Sequence, residues 1–83
     1  MTENNTSTFV KIVALLSEYT DRTVTTDSKL LDDLGLDSLA VVAMMLDLED
    51  IFSVEIEPED YEGVTDMKGV VALIDDKLKE KDS

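Results

Sequence analysis

Ser38 is the residue whose type and position best suit covalent chemistry in this chain. It follows Asp37 and precedes an unbroken apolar run, Leu39 to Leu46, which is too long for a strand and suits a buried helix. We therefore predict Ser38 in the first turn of a helix, where free backbone N–H groups and the positive end of the helix dipole favour a phosphate. Gly35 gives the preceding loop the freedom to turn sharply. The sequence thus offers a hydroxyl to which a phosphorylated group could be attached, although serine is also common as a simple helix cap.

The composition argues against several other classes of function. The chain has 83 residues with no histidine and no cysteine, so it lacks the usual general base, soft metal ligands and disulfides, and we expect no catalytic residue and no metal site. Its formal net charge is -13, from 20 acidic and 7 basic residues, which disfavours nucleic acid and anionic membranes and favours basic protein partners. Because the first residues do not resemble a signal peptide and no apolar run could span a bilayer, we expect a cytoplasmic protein without membrane insertion.

Acidic residues crowd the middle of the chain, where no Lys or Arg lies between Leu30 and Met67. Such a charge keeps a small domain soluble, and it equally suits a recognition face for a basic partner. The acids from Glu55 to Asp66 partly resemble a calcium-binding loop, because they alternate at first and Asp66 stands where the last ligand is needed. The position that needs glycine for the sharp turn is Asp60, so the spacing fails.

Hydrophobic periodicity predicts an all-α fold in a single domain, residues 1–83. The predicted helices span about residues 7–20, 38–52, 58–63 and 66–80, which makes a four-helix bundle with a short third helix and a long first loop. Asp37 or Ser38 is predicted to cap the second helix, Pro58 to begin the short one and Thr65 to cap the last.

The long first loop is expected to be held on the core by its leucines. Residues 21–33 mix polar and β-branched side chains and break the helical period. Leu30, Leu31 and Leu34 are the apolar residues that would fix this segment. A loop of this length in a compact domain is usually either functional or well anchored.

These features together resemble the acyl carrier protein family over nearly the whole chain. Three motifs support the resemblance: Asp37-Ser38-Leu39, which is similar to the family's phosphopantetheine attachment site, Leu30-x-x-Asp33-Leu34-Gly35 before it, and Phe52-x-x-Glu55-Ile56 after it. The resemblance implies a bundle of four helices, the third of them short. It also implies that a phosphopantetheinyl transferase moves 4′-phosphopantetheine from coenzyme A onto Ser38 Oγ.

The resemblance further implies a carrier that makes no bond itself and holds acyl groups as thioesters on the attached arm. The thiol would come from the arm, because the chain has no cysteine. Asp37 and Leu39 would flank the attachment site, with Leu39 anchoring the turn below it, and we expect a monomer. A cavity between the helices, lined by residues such as Met44, Leu46, Ile51, Val64 and Ile74, could shelter the acyl chain; the sequence leaves open whether the chain lies there or in solvent.

The second helix departs from the family pattern close to Ser38. Carriers of primary fatty-acid synthesis have acidic residues shortly after the Asp-Ser-Leu motif, whereas here Ala40 and Ala43 stand at those positions. Apolar contact would then replace electrostatic steering near the attachment site. Acyl-loading, acyl-transfer and synthase enzymes with basic or apolar docking patches are the expected partners. The predicted partner-recognition surface comprises Ala40, Val41, Ala43, Met44, Asp47, Glu49 and Asp50.

Three functions stay open at this point. A carrier for a specialised polyketide, modified-lipid or aminoacyl pathway is favoured by Ala40 and Ala43. A housekeeping carrier of fatty-acid synthesis is the alternative. An acidic helical adaptor that is never modified belongs to another class, and for it the Ser38→Ala variant should keep its function.

Overall fold

The computed structural model describes residues 4–82, with side chains from residue 8 to residue 81. Its elements are α1 (Asn4–Leu16), α2 (Ser38–Phe52), a 3₁₀ turn (Pro58–Asp60) and α3 (Met67–Asp82). No strand occurs in these residues, and an isolated antiparallel bridge joins Lys29 to Asp66. The all-α prediction is confirmed, whereas the four-helix count is not, since three α-helices are present in the described residues.

The predicted short helix over residues 58–63 is a single 3₁₀ turn. Pro58 begins it as predicted, and the Glu57 N–H donates to Asp60 Oδ2 at 2.8 Å, which closes the turn on itself. The Tyr61 N–H still donates to the Pro58 carbonyl at 3.3 Å, but the Tyr61 backbone has already left helical geometry. The segment therefore stops short of Gly63 because its bonds are satisfied within one turn.

The ends of α1 and α3 differ from the predicted ones. Helix α1 lies earlier than the predicted 7–20, because beyond Leu16 the backbone tightens and the Tyr19 N–H reaches the Leu16 carbonyl at 2.8 Å. Helix α3 begins at Met67 and is capped by Asp66, whose Oδ1 accepts the Gly69 N–H at 2.9 Å. Thr65, the predicted cap, instead offers its carbonyl to the long loop.

The core lies where α1 packs against both α2 and α3. Its buried apolar side chains come from all three helices and from the loops between them: Ile12, Leu15, Leu16, Leu30, Leu34, Leu36, Met44, Met45, Leu48, Phe52, Ile56, Met67, Val70 and Ile74. Burial of this apolar surface is the main stabilising contribution in a cysteine-free domain of this size.

The long first loop is fixed on both sides by its backbone and its leucines. The Leu30 N–H donates to the Thr65 carbonyl at 2.9 Å, and the Met67 N–H donates to the Ser28 carbonyl at 2.9 Å. Leu30 and Leu34 are buried as predicted, but Leu31 is 56% exposed, so the expectation that it anchors the loop is wrong. The loop is therefore an ordered support for the start of α2.

Candidate functional site

The first turn of α2 presents an available serine hydroxyl. Ser38 is the first residue of the helix and is exposed. Asp37 precedes it in extended geometry and acts as the cap, since its Oδ1 accepts the Ala40 N–H at 2.8 Å. Within the described part of the chain the Ser38 hydroxyl has no hydrogen-bond partner. The cap and the hydroxyl are thus provided by two different residues, which leaves Ser38 free to react.

The loop directly before α2 is shaped by one positive backbone angle. Gly35 has φ of 71°, a region that side chains with a Cβ rarely adopt. On either side of it the chain bonds back to itself: the Leu34 N–H reaches the Lys29 carbonyl at 3.0 Å and the Leu36 N–H reaches the Leu30 carbonyl at 3.0 Å. The buried Leu34 and Leu36 side chains then hold the turn in place. This is the local reason why Asp37 and Ser38 point outward at the end of the loop.

A cleft of about 550 Å³ opens beside Ser38. One wall is the long loop at Lys29 to Asp32, the second is the start of α2, and the third is the segment around the 3₁₀ turn. Apolar side chains line most of it and polar groups stand among them: Lys29, Leu30, Leu31, Asp32, Ser38, Val41, Val42, Pro58, Tyr61, Glu62, Val64 and Thr65. An apolar group attached to Ser38 would find surface to bury here.

The cleft differs from the cavity predicted from the sequence. Of the predicted lining residues, Val64 is found in its wall. Met44 and Ile74 are fully buried core residues, packed against the other helices rather than lining open space. Leu46 and Ile51 are 58% and 45% exposed. The prediction failed for these four because apolar spacing along a helix does not distinguish a core position from a surface position or from one that borders a cleft.

Three exposed apolar residues form a stripe along α2 from the serine. Leu39, Val42 and Leu46 are 79%, 40% and 58% exposed, and their spacing places them on one helix face. The expectation that Leu39 anchors the turn is wrong, because this side chain faces solvent. Sequence reasoning missed Val42 and chose Leu46 only as a cavity residue, although the i, i+3, i+7 spacing was visible.

The predicted apolar recognition residues are buried or half-buried. Met44 has no exposed surface, so its assignment to the partner surface is wrong; it faces the core because it lies on the opposite side of α2 from the stripe. Ala40, Val41 and Ala43 are half-buried. The apolar surface near Ser38 therefore consists chiefly of the stripe residues.

Two of the three predicted recognition acids are bonded within the domain. Tyr19 OH donates to Asp47 Oδ2 at 2.6 Å, and the Ile56 N–H donates to Glu49 Oε2 at 2.7 Å. The Asp47 hydrogen bond, assisted by partial burial, raises the pKa of the Tyr19 hydroxyl. Asp50 is exposed and lies four residues after Leu46, which continues the stripe face. Asp50 is thus the predicted acid best placed to meet a partner.

An ion pair holds the 3₁₀ turn against α3. Lys77 Nζ lies 2.9 Å from Asp60 Oδ2, and both side chains are largely covered, at 19% and 25% exposure. The Glu57 N–H and then Lys77 lower the pKa of the Asp60 carboxyl, while Asp60 raises the pKa of Lys77. This contact positions the wall of the cleft that contains Tyr61.

Other kinds of site find little support in residues 4–82. No three His, Cys, Asp or Glu side chains in this part of the chain lie together in a way that could hold a metal ion. None of the helices described there has the length and apolar character needed to cross a membrane.

The surroundings of Ser38 fit 4′-phosphopantetheine. An exposed hydroxyl lies in the first turn of a helix, where the dipole favours the phosphate. The cleft begins at the same residue and offers apolar surface to a group held on an arm. The acidic Asp37 beside it is already engaged with the Ala40 N–H.

Comparison with known proteins gives one consistent answer. A family model described as "Phosphopantetheine attachment site" matches residues 8–74. An acyl carrier protein of an Exiguobacterium species is 47% identical over 55 residues, 66% of this chain and 70% of that protein. One from Thermotoga maritima is 36% identical over 73 residues, 84% of this chain and 90% of that protein. A crystal structure of an acyl carrier protein from Thermotoga maritima superposes with a TM-score of 0.84 over 96% of both chains, at 25% identity.

Proposed function

The chain belongs to the acyl carrier protein family, and from that premise we propose that Ser38 is the residue to which its prosthetic group is attached. 4′-Phosphopantetheine is the group that this membership implies. The observation that supports Ser38 is its exposed hydroxyl at the start of α2, which has no hydrogen-bond partner among the described residues. When bound, the arm supplies the thiol that this cysteine-free chain lacks.

The residues around Ser38 would each have a definite part in that function. Asp37 holds the first turn of α2 through the Ala40 N–H, so the serine stays presented without serving as the cap. The start of the helix stabilises the negative charge of a phosphodiester. The cleft walls at Val41, Val42 and Val64 give an acyl group a place that is partly protected from water. The chain itself catalyses nothing in this proposal.

The proposed pathway is a specialised one, such as polyketide, modified-lipid or aminoacyl synthesis. Acyl carrier proteins in general interact with phosphopantetheinyl transferases and with synthase enzymes. Here the residues next to Ser38 on α2 are Ala40 and Ala43, and the exposed side chains are the apolar stripe of Leu39, Val42 and Leu46. Partners suited to this surface would bring apolar contacts, with a basic group near Asp50. A housekeeping role in fatty-acid synthesis is the competing function.

The attachment is tested by intact mass. The protein is incubated with coenzyme A and a promiscuous phosphopantetheinyl transferase, beside the Ser38→Ala and Ser17→Ala variants. Ser17 is the matched control, because it is also exposed but its hydroxyl already donates to the Ala14 carbonyl at 2.7 Å. We expect one phosphopantetheine on the wild type and on Ser17→Ala, and none on Ser38→Ala. No gain on a folded wild type would refute the proposal and favour the unmodified adaptor.

The pathway is tested by the salt dependence of turnover. The loaded protein is offered to a generic set of fatty-acid synthase enzymes from about 50 mM to about 500 mM salt, a range over which exposed charges become screened. We expect slow turnover that changes little with salt, because the surface near Ser38 is apolar. Fast turnover that falls steeply with salt would instead support the housekeeping carrier.

A further inference from the structure

The two tyrosines of the chain differ in what their hydroxyls do. Tyr19 OH donates to Asp47 Oδ2 at 2.6 Å. Tyr61 lines the cleft beside Ser38, and its ring packs against the core. Within the described residues the Tyr61 hydroxyl has no hydrogen-bond partner. A tyrosine whose ring is fixed and whose O–H has no protein partner is a ready donor for a ligand in the same cleft.

We infer that the cleft selects an acyl cargo with an oxygen on its chain, such as a 3-oxoacyl group, through a hydrogen bond from Tyr61. The inference rests on the proposed function, since it requires the cargo to be held at Ser38. The apolar part of such a cargo would lie against Leu30, Val41 and Val64. Its carbonyl oxygen would accept the tyrosine proton, which a plain alkyl chain does not do. Tyr61 is therefore a specificity residue of the site.

The apolar lining of the cleft argues against a cationic aminoacyl cargo. Asp32 and Glu62 line the cleft, but both are exposed and solvated. Lys29 also lines it and is likewise exposed, so it offsets one of the two acids. Moving a cation in among the valine and leucine side chains would cost far more than moving a neutral carbonyl. A neutral cargo with an oxygen on its chain is compatible with the apolar lining and can also bond to the Tyr61 hydroxyl.

The wall that contains Tyr61 is held in a defined position. Asp60, its neighbour, accepts the Glu57 N–H at 2.8 Å and pairs with Lys77 on α3 at 2.9 Å. The Val64 N–H donates to the Tyr61 carbonyl at 3.0 Å. Because the backbone on both sides is bonded, Tyr61 keeps a fixed place in the cleft wall, as selection between similar cargoes requires.

The experiment compares two cargoes of equal length on the full chain. Hexanoyl and 3-oxohexanoyl pantetheine arms are placed on the wild type, Tyr61→Phe and Tyr19→Phe, and intact mass verifies the loading. Thioester cleavage by exchange with excess 2-mercaptoethanol, which takes the acyl group and releases the arm thiol, is then measured against the same thioester on free pantetheine. This reference cancels the intrinsic reactivity of each cargo. Ring resonances of Tyr61 give a second readout that does not depend on cleavage.

We expect the wild type to protect the 3-oxohexanoyl thioester about fivefold more than the hexanoyl one, the effect of one hydrogen bond. In Tyr61→Phe the two thioesters should be protected equally, whereas Tyr19→Phe should keep the fivefold difference. In the wild type, the ring resonances of Tyr61 should shift when the 3-oxohexanoyl cargo is loaded and not when the hexanoyl cargo is. Equal protection in the wild type, or a difference that survives in Tyr61→Phe, would overturn the inference. Failure to load Ser38 at all would instead refute the proposed function and the inference with it.

Discussion

The two ends of α2 are built for different purposes although both belong to one helix. At the first end, the Ser38 hydroxyl has no partner in the part of the chain that the structure describes, and the exposed stripe of Leu39, Val42 and Leu46 follows it. At the far end, side chains and backbone are bonded into the domain: Asp47 to Tyr19, Glu49 to the Ile56 N–H, and the Phe52 carbonyl to Lys81. The first end is available to other molecules, and the far end supports the fold.

This difference between the two ends of α2 changes the role that we assign to its acidic residues. The acids at the far end look from their sequence like a docking patch displaced along the helix. Two of them are instead structural acceptors, and a carboxylate that already accepts an internal hydrogen bond is less available to a partner's cation. Recognition by this chain is therefore expected to depend on apolar contact near Ser38 more than on the net charge of the helix.

The largest expected effect is the difference in stability loss between variants on two opposite faces of α2. Met44→Ala should lower the free energy of unfolding by about 2–5 kcal/mol, because it empties a fully buried position. Leu46→Ala, at 58% exposure, should change it by no more than about 0.5 kcal/mol. Denaturant unfolding of both variants measures the contrast. Similar losses would mean that the stripe is packed into the fold rather than free for partners.

The next prediction concerns the stability contribution of the acidic residues at the far end of α2. Glu49→Ala should lower the free energy of unfolding by about 1–2 kcal/mol, since the Ile56 N–H would lose its acceptor. Asp50→Ala is the matched control, because Asp50 is the next residue and is also acidic, but its side chain is exposed. It should change the free energy of unfolding by no more than about 0.5 kcal/mol. Urea unfolding of the pair gives the answer. Equal effects would show that the acids at this end do not differ in function.

A charged residue introduced into the stripe tests whether this apolar surface takes part in docking. Leu46→Asp should raise the KM of arm attachment by the transferase roughly tenfold, with kcat nearly unchanged, because an apolar contact is lost from docking and not from chemistry. Val10→Asp is the control, since Val10 is comparably exposed, at 56%, but lies on α1. If both variants behave alike, the stripe has no special part in docking.

The smallest predicted effect is the pH dependence of the Tyr19 contact. Hydrogen bonding to Asp47 raises the pKa of Tyr19 in the folded protein, so the bond contributes its full stability below the pKa of the unfolded chain, near about pH 10. That contribution is lost as the pH rises through the folded pKa. The stability gap between the wild type and Tyr19→Phe, followed from about pH 8 to about pH 11, should therefore narrow above about pH 10. A gap that stays constant would show that the tyrosine proton is not involved.

Much of the fold could be predicted because its signals are local. The apolar run, Asp37 and the loop glycine indicated where α2 starts, and the structure has α2 over the predicted range, Ser38–Phe52. The signals failed where neighbours decide the outcome. Leu30 and Leu31 are adjacent and chemically identical, yet one is buried and the other is 56% exposed. The predicted short helix is a single turn because the Asp60 carboxylate accepts the Glu57 N–H and pairs with Lys77 on α3.

The sequence by itself determined that a serine begins a helix and that this acidic, cysteine-free chain is all-α, because capping and helical periodicity depend on residues near in sequence. Only the tertiary structure decided which side of α2 is buried. In an unbroken apolar run no position differs from the next in polarity, so the choice between Met44 and Leu46 is made by the helices and loops that pack against one face. The same packing placed Tyr61 beside Ser38 in one cleft, a proximity between distant residues that no local pattern contains.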